Sequence, residues 1–447
     1  MKRMNLFSGR YCSQISRVPL ACLMTFASAL LTGQELLSLD VAVKEGMINN
    51  YMILVAKNET EISSRNMTLG NAGFLPSVNA YGYYDKAYLN SGVKVISGAE
   101  LFNKNAAAKI SAGGIEAEWV LFDGAGMFVE YDKLRSLWRI SNLEERITME
   151  NMVQNIILAY CNIIRQKELY KACGQRLESS KLRYSIAREK FGSGIGSEQE
   201  WLQSHVALQA DSTALITRAV ELGKSKIELN RLLAVDVDCD FSTEDSIRLA
   251  ILPGADQLKA SSLQLNNLLK LNAEQLMYSK LEEKSLRSEV FPRLTLTGSY
   301  GWFENSTDAA FVKYNRYYGP QVGLSLDFKL FDGMKLARSI QNAGINVQNQ
   351  ELLLLDMQQE VSALISEAFL DYKSFVQTIV LGKERLVLAR KNLDIAMKAY
   401  QAGMLSSVEL RTAQDDLFQA SSDLFNDYYN VKVKETELLN ISGMLIK

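Results

Sequence analysis

The sequence predicts an α+β chain made of two similar halves, each combining very long helices with two strands of the kind found in transmembrane β-barrels. Three observations lead to this fold class: long stretches lack proline, apolar residues recur there at helical spacing, and four short segments alternate between polar and apolar residues. In the 447-residue chain, 49 lysines and arginines nearly balance 51 aspartates and glutamates. Because there is no basic surplus to bind a phosphate backbone, we expect no nucleic acid partner.

Residues 1–33 have the features of an export signal peptide. Basic residues precede the apolar run 18–31, and Ala27-Ser28-Ala29 fits a small-x-small cleavage site, with Leu31-Thr32-Gly33 as a second candidate. A short membrane anchor is the alternative, but the run is shorter than the roughly 20 apolar residues that a spanning helix needs. Lipidation at Cys22 is disfavoured because Pro19 stands where such a site requires an aliphatic residue.

Long uninterrupted segments follow from the rarity of proline. Beyond the signal region, proline occurs only at positions 76, 253, 292 and 320, so nothing in 77–252 or 321–447 forbids a continuous helix or strand. Within 357–376, apolar residues recur at steps of three and four, which is the helical period. Along 410–424 they alternate steps of three and four, as in a coiled-coil seam.

The predicted elements repeat in the same order in both halves. The first half is expected to contain a helix at 38–72, strands at 76–85 and 110–122, a long helix at 123–191 and a return helix at 198–233. A separate segment, 234–253, follows. The second half is expected to contain a helix at 255–289, strands at 292–303 and 319–331, a long helix at 333–401, a return helix at 407–440 and a tail at 441–447.

The predicted strands alternate in character with a period of two. Along 321–330, Val, Leu, Leu, Phe and Leu occupy one face, and Gln, Gly, Ser, Asp and Lys occupy the other. Apolar-out, polar-in strands of about ten residues with aromatic ends are typical of membrane barrels. A soluble antiparallel sheet with one wet face shows the same alternation. The export signal, the aromatic strand ends and the lack of an obvious covering layer favour the barrel.

The two halves are related by an internal duplication. Leu121-Phe122-Asp123-Gly124 recurs 209 positions later as Leu330-Phe331-Asp332-Gly333, and Phe191-Gly192-Ser193-Gly194 falls on Tyr400-Gln401-Ala402-Gly403. Upstream, the offset is 216. Two halves supply only four strands, which cannot close a barrel, and an open edge in lipid leaves backbone groups without partners. We therefore expect three copies to supply twelve strands, with the helices bundled below them.

These features resemble the TolC-like outer membrane efflux proteins. The resemblance rests on the motif Gly73-Phe74-Leu75-Pro76-Ser77-Val78, the two Phe-Asp-Gly strand ends, the aromatic-x-x-Gly turns and the duplication. It implies a homotrimer with a twelve-stranded transmembrane β-barrel, continued by a long periplasmic α-helical barrel. A belt would include 234–253 and the C-terminal residues.

The resemblance also implies a location and partners. The chain would lie in the outer membrane of a Gram-negative bacterium, in contact with its lipid, and extend into the periplasm. It would serve as a passive exit duct together with a periplasmic adaptor and an inner-membrane transporter, without a cofactor. The sequence does not distinguish drug, metal or protein as the cargo.

Four residues at the helix-hairpin tips are candidates for adaptor docking by this resemblance: Gly194, Ile195, Gly403 and Met404. Glycine lets a chain reverse between antiparallel helices, and an exposed Ile or Met beside it offers an apolar contact. The alternative is a plain turn that needs only conformational freedom.

Three residues are candidates for a periplasmic gate by the same resemblance: Glu200, Tyr400 and Glu409. Rings of carboxylates at a narrow aperture favour cations. A further acid of the family falls on Thr412 here, although Asp415 or Asp416 could compensate one turn later. The alternative for each glutamate is an ordinary solvated helix face.

Four charged residues of the predicted strands are expected to face the barrel lumen: Glu116, Glu118, Asp327 and Lys329. A charge on the lipid face costs about 2–4 kcal/mol for a lysine near the midplane. The alternative is the wet side of a soluble sheet.

No catalytic constellation accompanies these features. His205 is the single histidine, and no nucleophile–base pair is apparent, so we expect no enzyme. A pore-free coiled-coil scaffold is the other competing class, but a scaffold does not require four alternating strands in a repeated arrangement.

Overall fold

The computed structural model describes residues 36–94, 96, 98–308 and 312–446. The predicted signal peptide, 1–33, lies outside the described residues. Within the described part of the chain, no helix combines the length and apolarity needed to cross a membrane.

The chain forms eight helices and six strands in the described ranges. The helices are α1 (Leu39–Asn49), α2 (Tyr51–Asn66), α3 (Gly126–Gly192), α4 (Glu198–Leu233), α5 (Ala255–Leu265), α6 (Asn267–Ser288), α7 (Lys335–Gln401) and α8 (Ser407–Ile441). The strands are β1 (Leu36–Leu37), β2 (Ser77–Lys94), β3 (Glu100–Phe122), β4 (Ser242–Thr243), β5 (Arg293–Thr307) and β6 (Tyr314–Asp327).

The contacts divide the chain into two compact units. One contains 36–58, 143–270 and 356–446, and the other contains 59–142 and 271–355. The first, here the helical unit, has a core in which Ile156, Tyr160 and Leu229 are almost completely buried. In this unit β1 pairs in parallel with β4, and the hydroxyl of Tyr160 donates to the carbonyl of Leu37 at 2.7 Å. These bonds hold the first described residues against α3.

The second unit, here the sheet unit, contains a four-stranded antiparallel sheet in the order β2-β3-β5-β6. The register pairs Glu116 with Asn79 on one side and Ser299 on the other. The outer strands are β2 and β6, and each has only one strand partner among the described residues. One edge of each therefore presents unpaired backbone groups, as on any open sheet.

The duplication is visible in the helix ends. Lys335 and Gln401, the ends of α7, each lie 209 residues after Gly126 and Gly192, the ends of α3. Both helices begin later than predicted, at 126 rather than 123 and at 335 rather than 333. The cause is the same in both repeats: the two residues before each helix have positive φ angles, from 65° to 72°, so they cannot continue into a right-handed helix. These residues are Gly124 and Ala125 in the first repeat, and Gly333 and Met334 in the second.

The single helices predicted for 38–72 and 255–289 are wrong, because each is divided by an asparagine. The side chain of Asn50 donates to the carbonyl of Leu232 at 2.8 Å and accepts from the amide of Met52 at 2.9 Å. Asn266, which is 216 residues later, donates to the carbonyl of Ile441 at 2.7 Å and accepts from the amide of Leu269 at 2.9 Å. Asparagine competes for backbone hydrogen bonds in this way and so ends one helix and starts the next.

The strand bounds also differ from the prediction. The β2–β3 pair extends to Lys94 and Glu100, because antiparallel hydrogen bonding continues where the side-chain alternation is too weak to show it. In the other pair, β6 begins at Tyr314, before Pro320, because an outer strand tolerates proline. It ends at Asp327 rather than 331. The side chain of Asp332 then accepts the amides of Lys335 and Leu336 at 3.0 Å and caps α7.

Candidate functional site at the helical hairpins

The tips of the two helical hairpins, α3–α4 and α7–α8, are closed by the same turn. Gly194 and Gly403 have φ angles of +73° and +76°. The amide of Ile195 donates to the carbonyl of Lys190 at 3.0 Å, and the amide of Met404 donates to the carbonyl of Ala399 at 2.9 Å. This is the Schellman arrangement, in which a left-handed glycine lets the last carbonyls of a helix find partners. Glycine takes this left-handed conformation without the steric cost of a side chain, which favours it at both tips.

Each tip glycine is followed by an exposed apolar side chain. Ile195 is 83% exposed and Met404 is 81% exposed. No described residue covers these side chains, although burial of such a side chain stabilises the folded state by about 1.5–3 kcal/mol. The four predicted docking residues thus form two small apolar points on the helical unit.

The returning helices begin with equivalent serine caps. The hydroxyl of Ser197 accepts the amide of Glu200 at 3.1 Å, and that of Ser406 accepts the amide of Glu409 at 3.3 Å. The two glutamate carboxylates then have different hydrogen-bond partners. Glu409 turns back and accepts from the amide of its own cap, Ser406, at 2.9 Å, which completes a capping box.

The carboxylate of Glu200 instead reaches the other hairpin. The hydroxyl of Tyr400 donates to Oε1 of Glu200 at 3.0 Å, so this bond joins α7 to α4. Tyr400 is fully buried, and Nζ of Lys190 lies 4.5 Å from its ring centroid. Burial, with the hydrogen bond to the carboxylate, raises the pKa of Tyr400 to about 12. The tyrosine is therefore a neutral donor across the physiological pH range.

The structure brings two of the three predicted gate residues together, Glu200 and Tyr400. Glu409 does not take part in the hydrogen bond between Tyr400 and Glu200. The hydrogen bonds from Ser406 lower the pKa of the Glu409 carboxyl, so it is ionised at neutral pH. Thr412, where the family acid is missing, donates its hydroxyl to the carbonyl of Val408 at 3.2 Å.

An ion-pair cluster that the sequence did not predict lies along the same hairpins. The carboxylate of Asp211 on α4 is only 3% exposed and accepts from the Arg411 guanidinium of α8 at 2.5 and 3.1 Å. Nε of Arg176 on α3 lies 3.0 Å from the same carboxylate, and the hydroxyl of Ser180 donates to it. Asp415 lies 2.9 Å from Arg176 and 3.2 Å from Arg411. Three helices of the two hairpins are thus tied together by buried charge.

The hydrogen bonds of this cluster decide its charge state. Burial alone would raise the pKa of Asp211, but the bonds from Arg411 and Ser180 and the nearby positive charges lower it. The carboxylate is therefore ionised. Its neighbour Arg183 is 2% exposed and has no ion pair within 4 Å among the described residues. Burial, with the positive charge of Arg411, lowers the pKa of Arg183.

A weak sequence signal for this cluster exists in hindsight. The buried residues Ser204, Asp211, Ser225 and Leu232 of α4 share one face, at multiples of seven positions. Three of the four are polar, so a search for apolar periodicity passes over them. Asp211 stands at this seven-residue spacing, and a carboxylate at such a position could have been predicted to be buried and paired.

The predicted lumen residues lie in the sheet unit. The register places Glu116 beside Ser299 and Glu118 beside Thr297, while Ile115 and Ala117 occupy the opposite face. Asp327 pairs with Arg293, a residue on the same face as Thr297, and Arg293 lies 4.0 Å from Glu118. Lys329 is placed differently, because β6 ends at Asp327 and the lysine lies beyond the sheet. Its predicted position on a strand face is therefore wrong.

Comparison with solved structures identifies the fold. The outer membrane channel CmeC of Campylobacter jejuni has a similar structure, with a TM-score of 0.77 at 15% sequence identity over 97% of this chain and 95% of that chain. The fold is therefore that of the TolC-like outer membrane channels. At this identity the similarity shows the fold alone.

Sequence comparison finds similarity to the same kind of protein. Residues 261–444 match the family model described as outer membrane efflux protein. The outer membrane protein TolC of Escherichia coli is 21% identical over 337 residues, which cover 69% of this chain and 67% of that protein. The toluene efflux pump outer membrane protein TtgC of Pseudomonas putida is 19% identical over 415 residues, 91% of this chain and 83% of that protein. The resemblance to the TolC-like outer membrane efflux proteins is confirmed.

Removing the Tyr400 hydroxyl is expected to loosen both tips. In Tyr400→Phe the ring stays and the hydroxyl is lost with its bond to Glu200, which costs about 1–3 kcal/mol for a hydrogen bond to a charged group. Amide hydrogen exchange at 193–200 and 402–409 should accelerate roughly tenfold or more. Tyr428→Phe is the control, because its hydroxyl has no hydrogen bond among the described residues. Equal exchange in both variants would contradict a structural link.

Removing the charge of Asp211 is expected to destabilise the protein in a pH-dependent way. Its folded pKa is below the unfolded value of about 3.9, so its contribution is complete above that value and disappears as pH falls through the folded pKa. At pH 7, Asp211→Asn should cost about 3 kcal/mol, because it breaks a buried ion pair.

Thermal unfolding at pH 7, 5 and 3 measures this effect. The difference between wild type and Asp211→Asn should persist at pH 7 and 5 and shrink at pH 3. The exposed pair of Glu221 with Lys224 supplies the control Glu221→Gln, which should change stability by less than about 1 kcal/mol. A difference of the same size at pH 7 and pH 3 would show that Asp211 does not act through its charge.

Proposed function

We propose that this chain is one protomer of a homotrimeric outer membrane channel, the exit duct of a tripartite efflux pump or a type I secretion system. It lies in the outer membrane of a Gram-negative bacterium and extends into the periplasm. It forms a passive conduit, because the energy is supplied by an inner-membrane transporter connected through a periplasmic adaptor. The names of the relatives, which are outer membrane and efflux pump proteins, support this assignment.

The observation that carries the proposal is the open, amphipathic sheet. On one face Val322, Leu324 and Leu326 are 81%, 64% and 66% exposed, so this apolar surface has no cover within the described chain. Among the residues that the structure describes, the outer strands β2 and β6 each lack a partner on one edge. In lipid, unpaired backbone groups cost several kcal/mol each. Three copies solve both problems when β6 of one pairs with β2 of the next, since twelve strands then close a barrel with its apolar face in lipid.

The opposite face of the sheet then lines the lumen. Glu116, Glu118 and Asp327 lie on this face, with Arg293 as their positive neighbour. Three copies would repeat this set around the pore, with a surplus of negative charge at that level. Such a ring favours cations.

The helices offer a matching surface to a second copy. Along α4, the side chains of Val206, Ile216 and Val220 are 71%, 67% and 51% exposed, and they share one helix face at steps of ten and four. On α7, Val387, Leu388 and Ile395 are also more than half exposed. In the trimer these faces pack against the neighbouring protomers to form the periplasmic α-helical barrel.

The belt is assigned to 234–253 and the C-terminal residues. The amide of Ala250 donates to the fully buried Glu435 carboxylate at 2.9 Å, and Nζ of Lys432 donates to the carbonyl of Arg248 at 3.1 Å. These bonds attach the segment to α8. They support the assignment of this segment to a fixed belt rather than a free loop.

The hairpin tips carry the gate and the docking points. The bond from Tyr400 to Glu200 ties α7 to α4 within one protomer, so breaking it would loosen the tips while the Asp211–Arg411 ion pair still joins the hairpins farther along. Glu409 lines the aperture with its exposed, ionised carboxylate, while the same carboxylate caps α8. The exposed Ile195 and Met404, each beside a tip glycine, are the points for the adaptor.

Association into a trimer is the first test. The protein extracted from outer membranes in detergent should have the mass of three chains and should conduct ions after insertion into planar bilayers. We expect strand-edge disruption to abolish both: proline substituted within β6 at Leu324, whose backbone neighbours Leu296, should give a monomer. Release of the wild-type protein from membranes without detergent, as a stable monomer, would refute the proposal.

The charge of Glu409 is tested separately from its cap. Glu409→Gln removes the charge but retains an amide that can complete a capping box, whereas Glu409→Ala removes both. If the carboxylate lines the aperture, both variants should lower the preference for cations in bilayer recordings. A loss of selectivity in neither variant would refute a gate role, and a change only in Glu409→Ala would assign the residue to the helix cap.

A further inference from the structure

The apolar face of the sheet carries aliphatic side chains near Ser77 and aromatic side chains toward the opposite end of the sheet. Near that residue it carries exposed Val78 and Ile115. Farther along, the same face carries Trp302 and Tyr318, which are register partners and are 47% and 76% exposed. Tyr84 follows on β2 and is 63% exposed. An apolar band bordered by aromatic rings is the pattern of a lipid-facing surface and its interfacial girdle.

Two lysines lie immediately beyond these rings. Lys86 on β2 and Lys109 on β3 are direct register partners, and the pairing is regular from Val78 to Lys86. Because side chains alternate along a strand, a separation of eight residues places Lys86 on the same face as Val78. Both lysines are exposed. Along a tilted barrel strand, eight residues rise by roughly 20 Å, which is close to the height of the apolar band.

The lysine pair has no counter-charge within the described residues. Directly opposed like charges on neighbouring strands are destabilising. The acid on this face nearest in register, Glu304, is itself paired with Arg316 at 3.9 Å, and neither lysine has an ion pair within 4 Å among the described residues. Nζ of Lys86 lies 5.1 Å from the ring centroid of Tyr88. Two lysines thus share one cross-strand position on an outward face, where an anion can contact both.

We propose that Lys86 and Lys109 form a binding site for the phosphate group of an outer-leaflet lipid headgroup, at the level where the apolar face of the sheet ends. The inference rests on the proposed function, because it requires the sheet to face lipid. The ring of Tyr88 stands beside the site, and aromatic and basic residues together are typical of the membrane interface.

A lipid fits this place better than a soluble anion. The pair continues the lipid-facing surface without interruption, so an acyl chain can lie along the apolar band while its phosphate reaches the lysines. Lysine side chains extend toward a headgroup in this way. In a trimer the site would occur three times around the barrel and would fix its height in the membrane.

Binding of phosphorylated lipid to the purified protein in non-ionic detergent tests the inference. Wild type should bind bis-phosphorylated lipid A more tightly than its dephosphorylated analogue, and added salt should weaken the difference. Lys86→Gln with Lys109→Gln should bind the phosphorylated lipid roughly tenfold more weakly, since each basic residue near a lipid surface contributes to attraction. Inorganic phosphate alone should compete poorly with the lipid, and effective competition by it would show a free-anion site instead.

A matched variant separates position from net charge. Lys94→Gln with Lys104→Gln removes two positive charges from the same hairpin, and Lys94 already pairs with Glu100 at 2.8 Å. This control should bind lipid A like wild type, and equal losses in the two double variants would overturn the site. Trimer mass and conductance in phosphatidylcholine bilayers are measured in parallel. Normal channels with unchanged lipid binding in Lys86→Gln/Lys109→Gln would refute the lipid site alone, whereas failure of wild type to insert would refute the proposed function and the site together.

Discussion

The hydrogen-bonding groups of the strand edges are the constraint on which the rest of this protein depends. Four strands pair in one sheet, and the free edges of β2 and β6 keep backbone donors and acceptors that water can satisfy but hydrocarbon cannot. Exposure of the apolar face of the same sheet to water is itself unfavourable. A sheet with these two properties is incomplete in a single chain, and the proposed assembly would complete it. The proposed trimer follows from this requirement more directly than from any individual side chain.

The helical unit solves a different problem, which is to hold two hairpins together while leaving their tips accessible. Buried charge does this along the shafts, where Asp211 pairs with Arg411 and Arg176. Near the tips the bond from Tyr400 to Glu200 and the packing of Ile186 against Ala396 and Tyr400 join them instead. A buried ion pair is costly to break by removing one partner, whereas one hydrogen bond is worth only about 1–3 kcal/mol. The hairpins are therefore joined by buried charge along their shafts and by an uncharged donor near the tips, where the gate is proposed.

Much of this arrangement could be predicted from the sequence because it follows from periodicity. The lack of proline and the spacing of apolar residues predicted very long helices, and α3 and α7 each run for 67 residues. The Phe-Asp-Gly repeat predicted a duplicated strand-to-helix turn, where both copies have positive φ angles. Glu200 and Tyr400 were separate candidates from the family resemblance, and their hydrogen bond, across 200 positions, is a finding of the structure.

The misses have physical causes that periodicity does not contain. Helix breaks at Asn50 and Asn266 depend on where one side chain finds a distant carbonyl. The extension of β2 and β3 depends on backbone pairing, to which the side chains contribute little. The Asp211 cluster lies on a helix face that is buried but polar, so apolar spacing does not show it. Lys329 was placed on a strand by extending the alternation past the last residue that forms the ladder.

The serine caps of the two return helices show what gene duplication has allowed in this chain. Ser197 and Ser406 start their helices with the same bond, and each is followed three residues later by a glutamate. In the second copy that acid folds onto its own serine and makes the helix start self-sufficient, whereas in the first copy it is released to meet a tyrosine of the sister hairpin. The same motif thus gives α8 an N-terminus that is capped by its own residues, and gives α4 an N-terminus that is bonded to the other hairpin. The serine and glutamate are the same in both copies, and the difference lies at their partner position, where the second copy has Tyr400 and the first has Phe191.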